Sequence, residues 1–367
     1  MYSPPQKAIL NYGSQTTETS SSSSASEIKW SWACRILENG SSYGLDENVS
    51  NVAPKAGDLA LVKVDRIGYH NSIITANNRK LRIYPGDLLV GVFGNRYATD
   101  ALEGELFGVQ DLSILTAGGM IGTVKSRHKE FGRPTSVTFV GFLKNKKGLK
   151  VNLKELGFHL SRPKGALKNI IIIVGTGMNA GKTTAARILV KSLSDQGLKV
   201  AACKLTGSVS NRDQDELRSA YARTIIDFSD YGFPSTYLCT KKELFDLFDT
   251  MVADLEKTNP DVVIMEIADG ILQRETAILL AEQSVKGMIK GIILAADSAP
   301  AALYAAEKIE EMGHKVIAVS GAITSSPLFV KEFEENSRIP VYASVDTGKE
   351  LADAVMKFIG DSSNSSS

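Results

Sequence analysis

Cysteine is scarce in this chain. Cys34, Cys203 and Cys239 are isolated and odd in number among 367 residues, with no C-x-x-C pair, which argues against a disulfide framework and a cysteine zinc site. Histidine is equally sparse: His70, His128, His159 and His314 contain no H-x-x-x-H pair, so zinc catalysis lacks its ligands. An excess of charge of either sign is missing too. With 42 basic and 41 acidic residues the net charge is +1, and no electrostatic drive toward nucleic acid or an anionic membrane follows. No run of about eighteen apolar residues is present to span a bilayer. The N-terminal MYSPPQKAILNYG lacks the basic-then-apolar build of a signal peptide. The expectation is a cytoplasmic protein with neither nucleic acid nor membrane as a partner.

What remains is an ordinary soluble composition, 43% hydrophobic and 23% charged, enough for one large or two smaller cores. Residues 1–27 are rich in Ser and Thr, with five consecutive serines from Ser20 to Ser24, and too poor in apolar side chains to offset the entropy of ordering. They are expected to be a disordered tail, as are residues 361–367. Between 28 and 160 the text changes to short β-branched or alternating runs such as LALVKV, KLRIY, LLVGVFG, MIGTVKS and SVTFVGFL, separated by turn signals. That pattern predicts a small β-rich domain. The stretch 161–166, SRPKGA, carries proline, glycine and basic residues, as a linker does.

From 167 to 360 strand-like and helix-like segments alternate, and the expected fold class is α/β, a doubly wound parallel sheet preceded by the β-rich domain. Expected strands include KVAACKL, DVVIME, GIILAAD, KVIAVSG and PVYAS; a helix is expected around 215–224. Ligands of such sheets bind at the carboxyl ends of the strands.

The densest chemistry begins there. Asn169 onward reads NIIIIVGTGMNAGKTT: a buried β-branched strand, a glycine turn and a helix start. Gly175, Thr176, Gly177, Met178, Asn179, Ala180, Gly181, Lys182, Thr183 and Thr184 form a candidate nucleotide-phosphate loop. Its glycines let main-chain N–H groups converge on an anion, Lys182 can reach the β and γ phosphates, and the Thr183 hydroxyl can ligate Mg²⁺. Five residues separate Gly175 from Gly181, one more than the plain pattern allows. The strand KVAACKL delivers Lys204 to its carboxyl end, followed by a polar loop with Asp213 and Asp215. Glu266 closes the apolar strand before it, where a carboxylate can hold Mg²⁺ directly or through water. Asp269 follows in an Asp-Gly pair that serves equally as a turn.

These residues resemble the dethiobiotin synthetase family. GTGMNAGKTT, with its five-residue gap, is similar to that family's phosphate loop, Lys204-Leu-Thr-Gly to its Lys-Pro-Val-x-x-Gly segment, Glu266 to the glutamate of Glu-Gly-Ala-Gly, and Asp213 or Asp215 to its metal-binding aspartate. The amidotransferase-type synthetases of cobalamin synthesis are similar at the same places, and a bacterial group that joins a β domain to such a nucleotide domain is the nearest in layout. The resemblance spans 167–359. It implies an ATP- and Mg²⁺-dependent ligase or phosphotransferase activating a small acidic substrate, often as a homodimer, with Thr183, an aspartate and Glu266 around the metal and Lys182 and Lys204 on the reacting anions. Here Glu-Ile-Ala-Asp-Gly replaces Glu-Gly-Ala-Gly, so a second acid enters the site and the biotin precursor is not the expected substrate. No Asn-Lys-x-Asp guanine signature appears, which favours adenine.

Other readings stand beside this one. A nucleotide-gated adaptor would use slow hydrolysis to switch loops. An acyltransferase would use the loop for the phosphates of coenzyme A. In the β-rich domain, Arg96 within Gly94-Asn95-Arg96-Tyr97-Ala98 is either a clamp for an anion or part of a solvated turn. Residues 227–237, DFSDYGFPSTY, are either a substrate- or dimer-side loop or a crossover packing its aromatics.

Overall fold

Two periodicities, two residues in the first part of the chain and an alternation of strand with helix in the second, build two units. The structure is a computed structural model describing residues 9–10, 28–38, 41–47, 53–343 and 348–364. Its contacts group Met1–Phe158 with Ser208–Asn211 and Ser229–Tyr237 as one unit, and His159–Gly207 with Arg212–Phe228 and Leu238–Ser367 as the other.

The first unit contains β1 (Ile9–Leu10), β2 (Lys29–Trp30), β3 (Ser42–Asp46), β4 (Leu59–Arg66), β5 (Ser72–Ile74), β6 (Lys80–Arg82), β7 (Leu88–Phe93), β8 (Leu102–Glu105), β9 (Leu112–Ile114), β10 (Met120–Arg127), β11 (Ser136–Lys144) and the short helix α1 (Leu153–Gly157). Pairing runs β11–β4–β7–β10, and β9 bonds to both β10 and β11, so these five strands close into a ring. Closure leaves those strands no open edge. Strand β4 shows why the sequence does this: Ala60, Val62 and Val64 join Phe93, Ile114, Ile121 and Phe142 in a core fed by all five strands, while Leu59 and Leu61 join Trp32, Val90, Val92 and Leu143 on the other face. A period of two with apolar residues at both phases buries both faces.

Several short runs here escaped the sequence pattern, including β3, β8 and β9. Ile9–Leu10, expected in a disordered tail, forms a two-residue strand parallel to Ser42 and Tyr43 of β3; the rest of 1–27 lies outside the described residues. Arg96 takes neither expected role. Its guanidinium donates to the Leu115 carbonyl, and its backbone bridges Gly104, so it fastens two segments of this unit together. The 229–237 stretch is packed: Phe233 is buried with its ring edge-on to Phe158 at 5.6 Å, and Arg35 pairs with Asp230.

The second unit contains β12 (Ile170–Gly175), α2 (Lys182–Asp195), β13 (Val200–Lys204), α3 (Arg212–Ser219), β14 (Thr224–Asp227), α4 (Lys241–Glu256), β15 (Val262–Glu266), α5 (Arg274–Ala281), α6 (Gln283–Met288), β16 (Ile289–Ala295), α7 (Ala299–Glu311), β17 (Val316–Ser320), α8 (Pro327–Glu334) and α9 (Gly348–Asn364). The sheet is wholly parallel, in the order β14–β13–β15–β12–β16–β17. Strand β12 is buried at every position because both faces are covered. Ile171 and Ile173 pack with Leu189 and Val190 of α2 and Leu351 and Val355 of α9. The chain winds to one side of β12 through β13, β14 and β15, then to the other through β16 and β17, which makes the carboxyl end of β12 a switch point where a ligand crevice forms.

Three expectations are corrected. Thr224, placed at a helix end by the pattern, instead opens the edge strand β14, whose residues 224–227 lie in register with Ala201–Lys204. Four residues are too few to show periodicity, and the neighbouring strand's free edge decides. Of PVYAS, the described residues 340–343 contribute a single parallel bridge, Val341 to Val319, rather than a strand. Helix α9 continues through Asp361 to Asn364, because a helix nucleated by a buried face propagates past its last anchor; 365–367 lie outside the described residues. No helix among the described residues is long and apolar enough to cross a membrane.

Candidate functional site

Strand β12 ends at Gly175, and α2 begins at Lys182. Between them the backbone turns back on itself, so the first turn of α2 faces the carboxyl ends of the strands. Helix α4 closes its own N-terminus with a capping box between Thr240 and Glu243, whereas the N-cap of α2 is Gly181, which provides no side chain to satisfy the first-turn N–H groups. Gly181 is needed for shape. Its φ is +94°, and a Cβ there would lie 2.8 Å from the Cα of Gly321. The loop is held from that side by the Ala322 N–H, which donates to the Ala180 carbonyl at 2.9 Å, and at its base by the Thr176 N–H, which donates to the Ala295 carbonyl at 2.9 Å.

Lys182 is buried, and its ammonium lies under the loop, donating to the Gly177 carbonyl at 2.6 Å. Burial pushes its pKa down, opposed by the charges of Glu266 and Asp269. Met178 and Asn179 form the exposed tip of the loop, Ala180 is buried, and Thr184 is exposed on the first turn of α2. Thr176 donates its hydroxyl at 3.1 Å to Oδ1 of Asp297, the acid that follows the end of β16.

Sheet register assembles the charged part. Lys204 at the end of β13 stands level with Glu266 at the end of β15 on one side and with Asp227 at the end of β14 on the other. The Thr183 hydroxyl lies 3.2 Å from Glu266 Oε1 and 3.3 Å from Asp213 Oδ1. Lys204 Nζ donates to Asp213 Oδ2 and, at 3.3 Å, to Glu266 Oε1. Glu266 Oε2 is buried without a hydrogen-bond partner, and its side chain is only 3% exposed. Burial alone would lower the Lys204 pKa, but the charges of Glu266 and Asp213 outweigh it and the net shift is upward. Asp213 shows the mirror effect: burial raises its pKa, and the Lys204 charge and hydrogen bond bring it below the ordinary carboxylate value.

Lys182, Thr183, Lys204, Asp213 and Glu266 therefore converge. Asp215 does not join them; two residues on in α3, about 200° around the helix from Asp213, it pairs with Arg218 at 2.7 Å and is 38% exposed. Asp227, expected as the start of the 227–237 loop, instead ends strand β14, where it is buried level with Lys204 in the sheet register. Two carboxylates and a hydroxyl are hard oxygen donors of the kind Mg²⁺ takes, and a buried carboxylate oxygen lacking a partner is a donor waiting for a cation. No group of three or more His, Cys, Asp or Glu side chains suited to a metal occurs among the described residues, so phosphate oxygens and waters would have to complete the shell, as Mg²⁺ sites normally allow.

No protein-family model matches the chain, and no curated protein shows significant similarity to it. Among solved structures it is similar to the signal recognition particle receptor FtsY from Elizabethkingia anophelis, at 22% identity over 55% of this chain and 69% of that one, with a TM-score of 0.33. It is similar to the kinase domain of the Escherichia coli tyrosine kinase ETK, at 13% identity over 41% and 66% of the two chains, with a TM-score of 0.31. A duf1611 family protein from Anabaena variabilis is similar at 15% identity over 54% and 61%, with a TM-score of 0.40. By its own geometry, with a buried parallel strand, a glycine loop and an uncapped helix start at the sheet's switch point, the second unit has a P-loop α/β fold.

Proposed function

We propose that this unit binds the phosphates of a nucleoside triphosphate with Mg²⁺, and that the chain is an Mg-ATP-dependent ligase or phosphotransferase acting on a small acidic substrate. The observation that carries the reading is the partnerless, buried Oε2 of Glu266, set beside Thr183 and Asp213 at the start of an uncapped helix. First-turn N–H groups of α2 and the loop backbone would take phosphate oxygens. Lys182, already placed beneath the loop, would turn its ammonium from the Gly177 carbonyl to the terminal phosphates and offset the charge that develops there. Thr183, Asp213 and Glu266 would hold Mg²⁺, which supplies neutralisation of phosphate charge and fixed phosphate orientation. Lys204 would bind the anionic acceptor. Catalysis of this kind is mostly positioning and electrostatics, and no covalent adduct with the chain is required.

Thermal shift tests it directly. Mg-ATP at one hundred times its Kd should stabilise the protein by about 2.7 kcal/mol, and Lys182→Ala should abolish that shift while leaving the ligand-free melting temperature in place. A shift with coenzyme A and none with Mg-ATP would replace this reading by phosphate binding for acyl transfer. An Mg-ATP shift undiminished in Lys182→Ala would remove Lys182 from the site.

A further inference from the structure

Lys204 and a divalent cation have the same two partners. Its ammonium donates to Asp213 and to Glu266 Oε1, and those carboxylates also flank the Thr183 hydroxyl. Two carboxylates with side chains only 17% and 3% exposed cannot face each other unneutralised, and in this structure the positive charge between them comes from Lys204, itself only 12% exposed. Building on the nucleotide reading above, we propose that Lys204 is a built-in counter-cation that occupies the metal's electrostatic place, and that the divalent ion must displace it before its ammonium is released toward an anionic acceptor.

The exchange balances without any covalent step: one unit of positive charge leaves the carboxylate pair and two arrive with the ion. Glu266 Oε2, unused by the lysine, gives the incoming ion a donor that the ammonium leaves untouched. Two consequences distinguish this from an ordinary structural salt bridge. The lysine and the metal compete, so removing one strengthens the other. Binding is also ordered, because the acceptor's cation is withheld until the metal has entered.

The probe is Mn²⁺, titrated with a non-hydrolysable ATP analogue present and followed by its electron paramagnetic resonance signal, on the full chain and on Lys204→Met. Expected is Mn²⁺ binding at least about tenfold tighter in Lys204→Met, the size of an ordinary coupling between competing ligands. The variant should also melt lower than wild type without metal and gain more from Mn²⁺. Equal or weaker Mn²⁺ binding in the variant overturns the proposal while leaving the nucleotide reading standing; no Mn²⁺ binding by wild type overturns both. Lys204→Gln serves as a second variant with the same expectations. Should neither variant fold, amine acetylation of wild type read by mass spectrometry decides: Lys204 is expected to be slow without Mn²⁺ and faster with it, and an unchanged rate refutes displacement.

Discussion

Replacing Gly181 by alanine should cost more than replacing Gly177, although both are glycines of the same loop. Gly181 has φ +94°, and an added Cβ would lie 2.8 Å from Gly321 Cα and 3.0 Å from the Ala322 nitrogen. Both neighbours are backbone, in a segment already bonded to the Ala180 carbonyl, so neither can swing aside. Left-handed backbone costs a residue with a Cβ about 1–2 kcal/mol, and overpacking adds about 1–3 kcal/mol. The sum is roughly 2–5 kcal/mol, which in a unit of some two hundred residues lowers Tm by roughly 10 °C. At Gly177 φ lies outside the left-handed region, and a Cβ would meet nothing within 4 Å. Gly177→Ala should therefore leave Tm within about 2 °C of wild type, yet weaken Mg-ATP, because its methyl would stand on the open side of the loop. Differential scanning fluorimetry with and without Mg-ATP reads both effects. A Gly181→Ala protein melting within about 2 °C of wild type would refute the steric reasoning, and a Gly177→Ala protein with unaltered nucleotide affinity would move the phosphate elsewhere.

Two further outcomes are expected. Asp213→Asn should weaken Mn²⁺ binding at least about tenfold in the presence of nucleotide, whereas Asp215→Asn should change it by less than about twofold; calorimetric titration of both variants checks it, and equal losses would reject the assignment of Asp213. In the β unit, burial, helped by the Arg96 charge, holds His70 down at about 4 from 6.5, against the pull of its bond to the Leu115 carbonyl. The unfolded chain then binds the extra proton first, so stability is complete above pH 6.5 and falls as pH drops through 4, by at most about 3 kcal/mol. Urea unfolding of wild type and His70→Gln between pH 7 and 4 should show that slope only in wild type; parallel slopes would clear His70 of the effect.

The contrast between Asp213 and Asp215 shows what kind of information each level held. By itself the sequence determined the α/β unit's strands and helices, because IIIIV, VVIM and IILAA are buried on both sides and can be little else. It also determined the glycine loop of the P-loop fold, since glycines, Lys182 and Thr183 at a strand-to-helix junction are a local pattern, set by residues adjacent in the chain. Glu266 was legible for the same reason, as the acid at the end of an apolar run. Only the tertiary structure decided what depends on neighbours far away in sequence. Strand β14 exists because β13 offers its edge, the described part of PVYAS, 340–343, is reduced to one bridge, and β9 closes a five-strand ring by pairing on both sides. Lys204 meets Asp213 and Glu266 because register sets two strand ends level and α3 starts where Asp213, and not Asp215, turns inward. A polar residue's partner is chosen by distance in space, and a pattern of side chains along one chain does not contain that distance.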